Sequence, residues 1–225
     1  MFITAYRVLC VLDATGTFDY RNIKVNAHIL LTNVGICFNM VLVMKMIQTH
    51  KELERLYGSD YQIKKAIAEG RLFKIDRGLY SHEMSVHPIE VIVKKYPNAI
   101  FTMDSAFYFH GLTDVIPGKM YLSVKRDSTK ISNRGIVQIF VLEKYHEIGK
   151  TQITYEGVTI NIYNQERMLI ELVRNKKGMP FDYYKEIINS YRRKITELDV
   201  RSLEEYSNEF DLEEYIFRTI QEEVF

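Results

Sequence analysis

Apolar and polar positions from Thr49 onward alternate first with helical and later with strand periodicity. Leu53 and Leu56 give an inward side to a short helix over 51–57, which Thr49 caps and Gly58 ends. Ser59 or Asp60 caps a second helix, 61–69, whose apolar positions Ile63, Ala66 and Ile67 recur at three and four residues and form one stripe. Gly70 stops it. Arg71–Ile75 and Leu79-Tyr80 read as two short strands joined across Asp76-Arg77-Gly78, a β-hairpin with Gly where positive φ is needed. Helix, tight turn, helix, hairpin is the order of a winged helix-turn-helix, placed at 46–82.

The pattern then changes. Helices are expected over 88–96, with Pro88 in the first turn, and over 104–109, capped by Thr102 and closed by Gly111. The period becomes two in 120–124 and 136–141, with a polar, mobile loop expected at 125–134. Glu156-Gly157 turns a second hairpin between 151–155 and 158–163. Asn164 caps a helix over 165–174, followed by helical segments 181–194, 198–210 and 212–224, the last with Asp211 as its cap. The predicted class is α+β: the winged helix-turn-helix module, then a mixed α/β domain with a helical C-terminal region across 83–225.

Residues 1–45 do not fit this scheme. Val25–Met44 is largely apolar, but Asn26, His28, Thr32, Asn33 and Asn39 interrupt it, which a membrane span of ~20 residues disfavours. A secretory signal would need a basic start and a small-residue cleavage site, and Asp13 and Asp19 break the approach. Met40, Met44 and Met46 crowd the junction with ordinary helical sequence. The preferred reading is an upstream extension of the reading frame, with no membrane partner and a cytoplasmic location.

Composition narrows the chemistry. Thirty Lys and Arg face 29 Asp and Glu, a net charge of +1, so nucleic-acid contact requires a local patch and not a generally basic surface. Cys10 and Cys37 are the two cysteines, which excludes a disulfide framework and a zinc ribbon and fits a reducing compartment. No P-loop, G-x-G-x-x-G or G-x-S-x-G phrase occurs, and the strand 120–124 lacks the paired carboxylates that hold magnesium for nucleotidyl transfer. His82 and His87 are one residue too far apart for a helical His pair, and His110 reads as a cation at a helix C-terminus. Neither a cofactor nor a metal is expected, and no catalytic residues are assigned.

Two basic groups remain. On the second helix Tyr61, Gln62, Lys64 and Lys65 lie off the apolar stripe, with Ser59 at its start. Arg71, Lys74 and Arg77 follow along the hairpin. Gln can pair with adenine and Lys with guanine or phosphate, so this face is a candidate for DNA contact; Asp60, Glu69 and Asp76 dilute its charge, as on an ordinary solvated helix face. The second group, Lys125, Arg126, Lys130 and Arg134, sits in the 125–134 loop, a possible surface for an RNA or another acidic partner. Arg174, Lys176 and Lys177, and Arg192, Arg193 and Lys194, are explained as cations at helix ends.

Three phrases, in order, resemble the AbiEi family of type IV antitoxins. The hairpin Leu72–Tyr80 looks like that family's wing, Ser105–Asp114 resembles its S-A-hydrophobic–H-G-L signature, and Glu166–Leu172 is similar to its E-R-T-hydrophobic-x-D-hydrophobic helix. Met168 stands where Thr is usual and Glu171 where Asp is usual. The resemblance spans roughly residues 46 to 195. It implies a module that binds inverted repeats in its own promoter as a repressor. It also implies a second domain that counteracts a nucleotidyltransferase toxin without forming a stable complex, in abortive infection by phage. The alternative is an enzyme acting on nucleotides or RNA through the α/β domain, which would need carboxylates or a perturbed histidine converging in a pocket.

Overall fold

The computed structural model describes residues 17–20, 23–26, 47–211 and 213–225. The segment 1–45 lies outside the described residues except for β1 (Thr17–Tyr20) and β2 (Ile23–Asn26), which pair antiparallel. The chain is α+β and divides into two compact units, Met1–Lys95 and Tyr96–Phe225.

The first unit is built around a small apolar cluster. β3 (Gln48–Thr49) leads into α1 (His50–Tyr57) and α2 (Asp60–Ala68), followed by β4 (Phe73–Asp76), β5 (Leu79–Ser81) and α3 (Pro88–Lys95). Thr49 and Glu52 form a reciprocal capping box: the Thr49 hydroxyl accepts from the Glu52 amide (3.3 Å), and the Glu52 carboxylate accepts from the Thr49 amide (2.6 Å). Gly58, at φ 76°, closes α1, where its amide donates to the Glu54 carbonyl. Leu53, Ile63, Ala66 and Leu72 form the core, with Tyr57 and Tyr80 packed against it. Leu56 and Ile67, expected to face inward, are instead exposed (58% and 36%). Among the described residues the cluster is filled by one residue per helical turn, and a second row is left uncovered.

The hairpin β4–β5 is joined by a third strand. β5 lies between β4 and β3, pairing antiparallel with both. The register shifts between Lys74 and Asp76, a bulge next to the turn. Gly78 takes φ 75° there, which a side chain would oppose by ~1–2 kcal/mol. The His50 amide donates to the Gly78 carbonyl at 3.2 Å, fastening the turn to the start of α1.

The second unit is a five-stranded mixed sheet with helices. β6 (Ile100–Phe101) precedes α4 (Met103–Phe109), β7 (Met120–Lys125), β8 (Ile136–Val141), α5 (Glu143–His146), β9 (Lys150–Tyr155) and β10 (Val158–Tyr163). The strand order is β8-β7-β6-β10-β9; β7–β8 and β6–β10 are parallel, and the other pairs antiparallel. α6 (Gln165–Arg174) is buried on nearly all sides, as befits a helix packed against α4, α8 (Val200–Asn208) and α9 (Glu213–Glu223). α7 (Phe181–Arg193) completes the helical part. Leu212, expected to open the last helix, lies outside the described residues.

Local chemistry departs from expectation in several places. Thr102 makes no capping bond at α4; its hydroxyl instead donates to the Met168 sulfur at 3.8 Å. The Ser105 hydroxyl accepts from the Tyr121 amide of β7 at 2.8 Å. The helix-end cations make tertiary contacts: Lys176 pairs with Glu223, Arg192 Nε donates to the Glu223 carbonyl (2.6 Å) and Lys194 Nζ to the His110 carbonyl (2.8 Å). Burial lowers the His110 pKa below the usual imidazole value, outweighing the bond from its Nε2–H to the Tyr163 carbonyl (2.7 Å). A neutral imidazole brings no charge to the helix end, so the dipole reading of His110 gives way to that hydrogen bond.

Arg167 is fully buried on α6. Its guanidinium lies over the rings of Phe210 (4.1 Å) and Tyr163 (4.9 Å), and Nη2 donates to Glu171 at 2.6 Å. Gly149 gives it room: a Cβ there would stand 2.4 Å from the Arg167 Cβ.

Candidate nucleic-acid interface

α2 buries only Ile63 and Ala66, and this leaves the rest of its surface open. Tyr61 is 72% exposed, Lys64 73% and Lys65 52%, and Gln62 is also exposed. Ser59 is the N-cap, its hydroxyl accepting from the Gln62 amide at 3.4 Å, so its role is to start the helix. The helix thus presents one aromatic ring, one amide and two ammonium groups on a short rod.

Acidic neighbours temper this charge. Lys64 pairs with Asp60 at 2.7 Å, and Asp60 also meets His50 Nε2 at 3.1 Å. The Lys64 hydrogen bond, then that of His50, holds the Asp60 carboxyl below its usual range. Lys65 stands 3.9 Å from Glu69, which also pairs with Arg71; that bond is the main reason the Glu69 pKa is lowered. Pairs this exposed are screened by solvent and salt, so a phosphate can displace the carboxylate.

The hairpin differs. Among the described residues, the side chains of Lys74 and Arg77 have no carboxylate partner, and both are exposed. Asp76 beside them is engaged by Lys95 (2.5 Å) and the Arg77 amide (2.6 Å), bonds that lower its pKa, Lys95 foremost. Arg71 is partly buried, and its carbonyl accepts from His82 Nδ1 at 2.9 Å. Among the described residues the hairpin thus carries two exposed cations without a carboxylate partner, Lys74 on β4 and Arg77 in the turn.

The second basic group is split by the fold. Lys125 and Lys130 line a cavity of about 550 Å³ in the second unit, whereas Arg126 and Arg134 are exposed and do not line it. His146 and Lys150 join them there. Sequence reasoning missed these two because the residues between them and the 125–134 loop give no spacing signal. The loop is also less free than its polarity suggests: Gln138 Oε1 accepts from the Ile131 amide (2.7 Å) and its Nε2 donates to the Thr129 carbonyl (3.0 Å).

Among the described residues, no group of three or more His, Cys, Asp or Glu stands where it could hold a metal, and no helix is long and apolar enough to cross a membrane. No family model and no curated protein matches the chain.

Proposed function

We propose that residues 46–82 are a winged helix-turn-helix that reads operator DNA, and that the chain is an autorepressor and antitoxin of the AbiEi type. In this reading α2 enters the major groove, offering Gln62, Lys64 and Lys65 to base edges and phosphates with Tyr61 alongside. The β4–β5 hairpin meets the backbone beside it, where Lys74 and Arg77 neutralise phosphates and Arg71 supports them. The second unit supplies the antitoxin function against a nucleotidyltransferase toxin during abortive infection, without a stable complex and without catalysis of its own.

The observation that carries the DNA reading is the exposure of α2: a helix seated on two side chains leaves its polar face free to be read. The strand β3 supports it, because a third strand on the far side of β5 stiffens a hairpin that would be marginal as an isolated pair. For the antitoxin half the support is the set of phrases in 105–114 and 166–172, both of which fall in the second unit.

The test uses the full chain and the DNA directly upstream of its own gene, with fluorescence anisotropy at several salt concentrations. Specific binding should weaken steeply with salt and fall in the Lys65→Ala/Arg77→Ala double variant. Full sequence-specific binding in that variant would remove the assigned surface.

A further inference from the structure

The parallel pairing of β7 with β8 sets up a second site. Two adjacent parallel strands usually need a helical crossover, yet here the chain returns through the 126–135 loop alone. That loop must travel back the length of a six-residue strand, ~20 Å, which lies well within the ~33–36 Å reach of ten residues. It forms one wall of the 550 Å³ cavity, held in place by the two Gln138 bonds. A cavity of this size lies within the ~300–1,000 Å³ typical of small-molecule sites.

Its lining is cationic. Lys125, Lys130 and Lys150 all contribute, against a single carboxylate, Glu147. Glu147 is already engaged by Lys150 (2.9 Å) and by His146 Nδ1 (3.0 Å), and Lys125 by Glu143 (2.7 Å). Among the described residues the Lys130 ammonium has no carboxylate within reach. His146 is 1% exposed, and with Nδ1 held by Glu147 its buried Nε2 lacks a hydrogen-bond partner. A buried polar atom of this kind costs ~1–3 kcal/mol unless something bonds to it. Tyr96 adds an aromatic ring to the same lining.

We infer that this cavity binds a small phosphorylated ligand of nucleotide size. The phosphate oxygens accept from Lys130 and Lys150, with the His146 ring in the wall beside them. The remainder of the ligand lies in the apolar part of the cavity. A nucleic-acid strand fits less well, because Arg126 and Arg134, which would extend a basic track, do not line the cavity. The site is independent of the DNA-reading surface.

Isothermal titration of the full chain with ATP, GTP, adenosine and a single-stranded RNA dodecamer tests this. ATP or GTP should bind saturably, and adenosine should not. Lys130→Ala and Lys150→Gln should each weaken binding by ~10-fold, equivalent to about 1.4 kcal/mol. Arg126→Ala and Arg134→Ala should leave it within ~2-fold, a difference of about 0.4 kcal/mol. All these side chains reach solvent, so the variants keep the fold, and the His146 ring ¹⁵N resonances should shift on binding. The inference is overturned if neither nucleotide binds up to ~1 mM, or if adenosine binds as well as ATP. It is overturned equally if the arginine variants lose as much as Lys130→Ala, or if the RNA binds more tightly than either nucleotide.

Discussion

In the first unit the apolar cluster rests on four buried side chains, and the ionic groups around α2 sit at the surface in loose, replaceable pairs. In the second unit the core runs through nearly every residue of α6 and takes in a whole guanidinium, that of Arg167, between two aromatic rings. The contrast separates two uses of charge. Surface cations such as Lys64 and Lys65 stabilise the fold little and remain free to exchange a carboxylate for a phosphate. A buried cation such as Arg167 is committed: desolvation lowers its pKa, and the neighbouring Glu171 charge opposes that shift. Binding function is therefore sought where charge is cheap to re-pair, and fold specificity where it is not.

The largest effect that would sharpen this contrast is at Arg167. Arg167→Ala leaves Glu171 with only the more exposed Arg174 and Asn175 as partners and opens a void beside Gly149, and should cost about 2–5 kcal/mol in urea unfolding. A loss under ~1 kcal/mol, the scale of a surface pair, would erase the distinction drawn between the two units.

Next comes Leu53, the centre of the smaller core. Leu53→Ala should destabilise the first unit by about 2–5 kcal/mol and raise amide hydrogen exchange across residues 47–95, because no second apolar row compensates. Unchanged protection of α2 in that variant would show that the four-residue cluster is not what seats the helix.

A smaller effect belongs to His110. Its folded pKa lies below the unfolded value of about 6.5, so the unfolded chain takes up the proton first as the solution is acidified. The stabilising contribution is complete above the unfolded pKa and is lost as pH falls toward and through the lowered folded one. His110→Gln retains a donor toward the Tyr163 carbonyl without titrating, so it should flatten the fall in Tm between about pH 7.5 and 5.5. An identical fall in both proteins would mean that His110 is not the titrating group.

Much of the first unit was legible in the sequence, because its signals are local. Thr49 with Glu52, Ser59, and Gly58 and Gly78 at positive φ each act within three or four residues. What escaped were two-residue strands, Gln48–Thr49 and Ile100–Phe101, too short to show a period and defined only by partners elsewhere in the chain. The exposure of Leu56 and Ile67 escaped for a related reason: periodicity names a face but not the width of what covers it. The polar 125–134 loop was visible as basic, yet its anchoring by Gln138 and its meeting with His146 and Lys150 depend on the parallel pairing of β7 with β8, which no spacing records.

The most direct measurement of the DNA reading is the salt dependence of operator affinity, by anisotropy, for the full chain and for Lys74→Ala, Arg77→Ala and Lys65→Ala. If α2 and the hairpin hold the duplex, each lysine or arginine that meets a phosphate should reduce the slope of log K against log[salt] by about 1, with the unpaired Lys74 and Arg77 at least matching Lys65. Slopes and affinities identical to those of the unsubstituted chain in all three variants would contradict it.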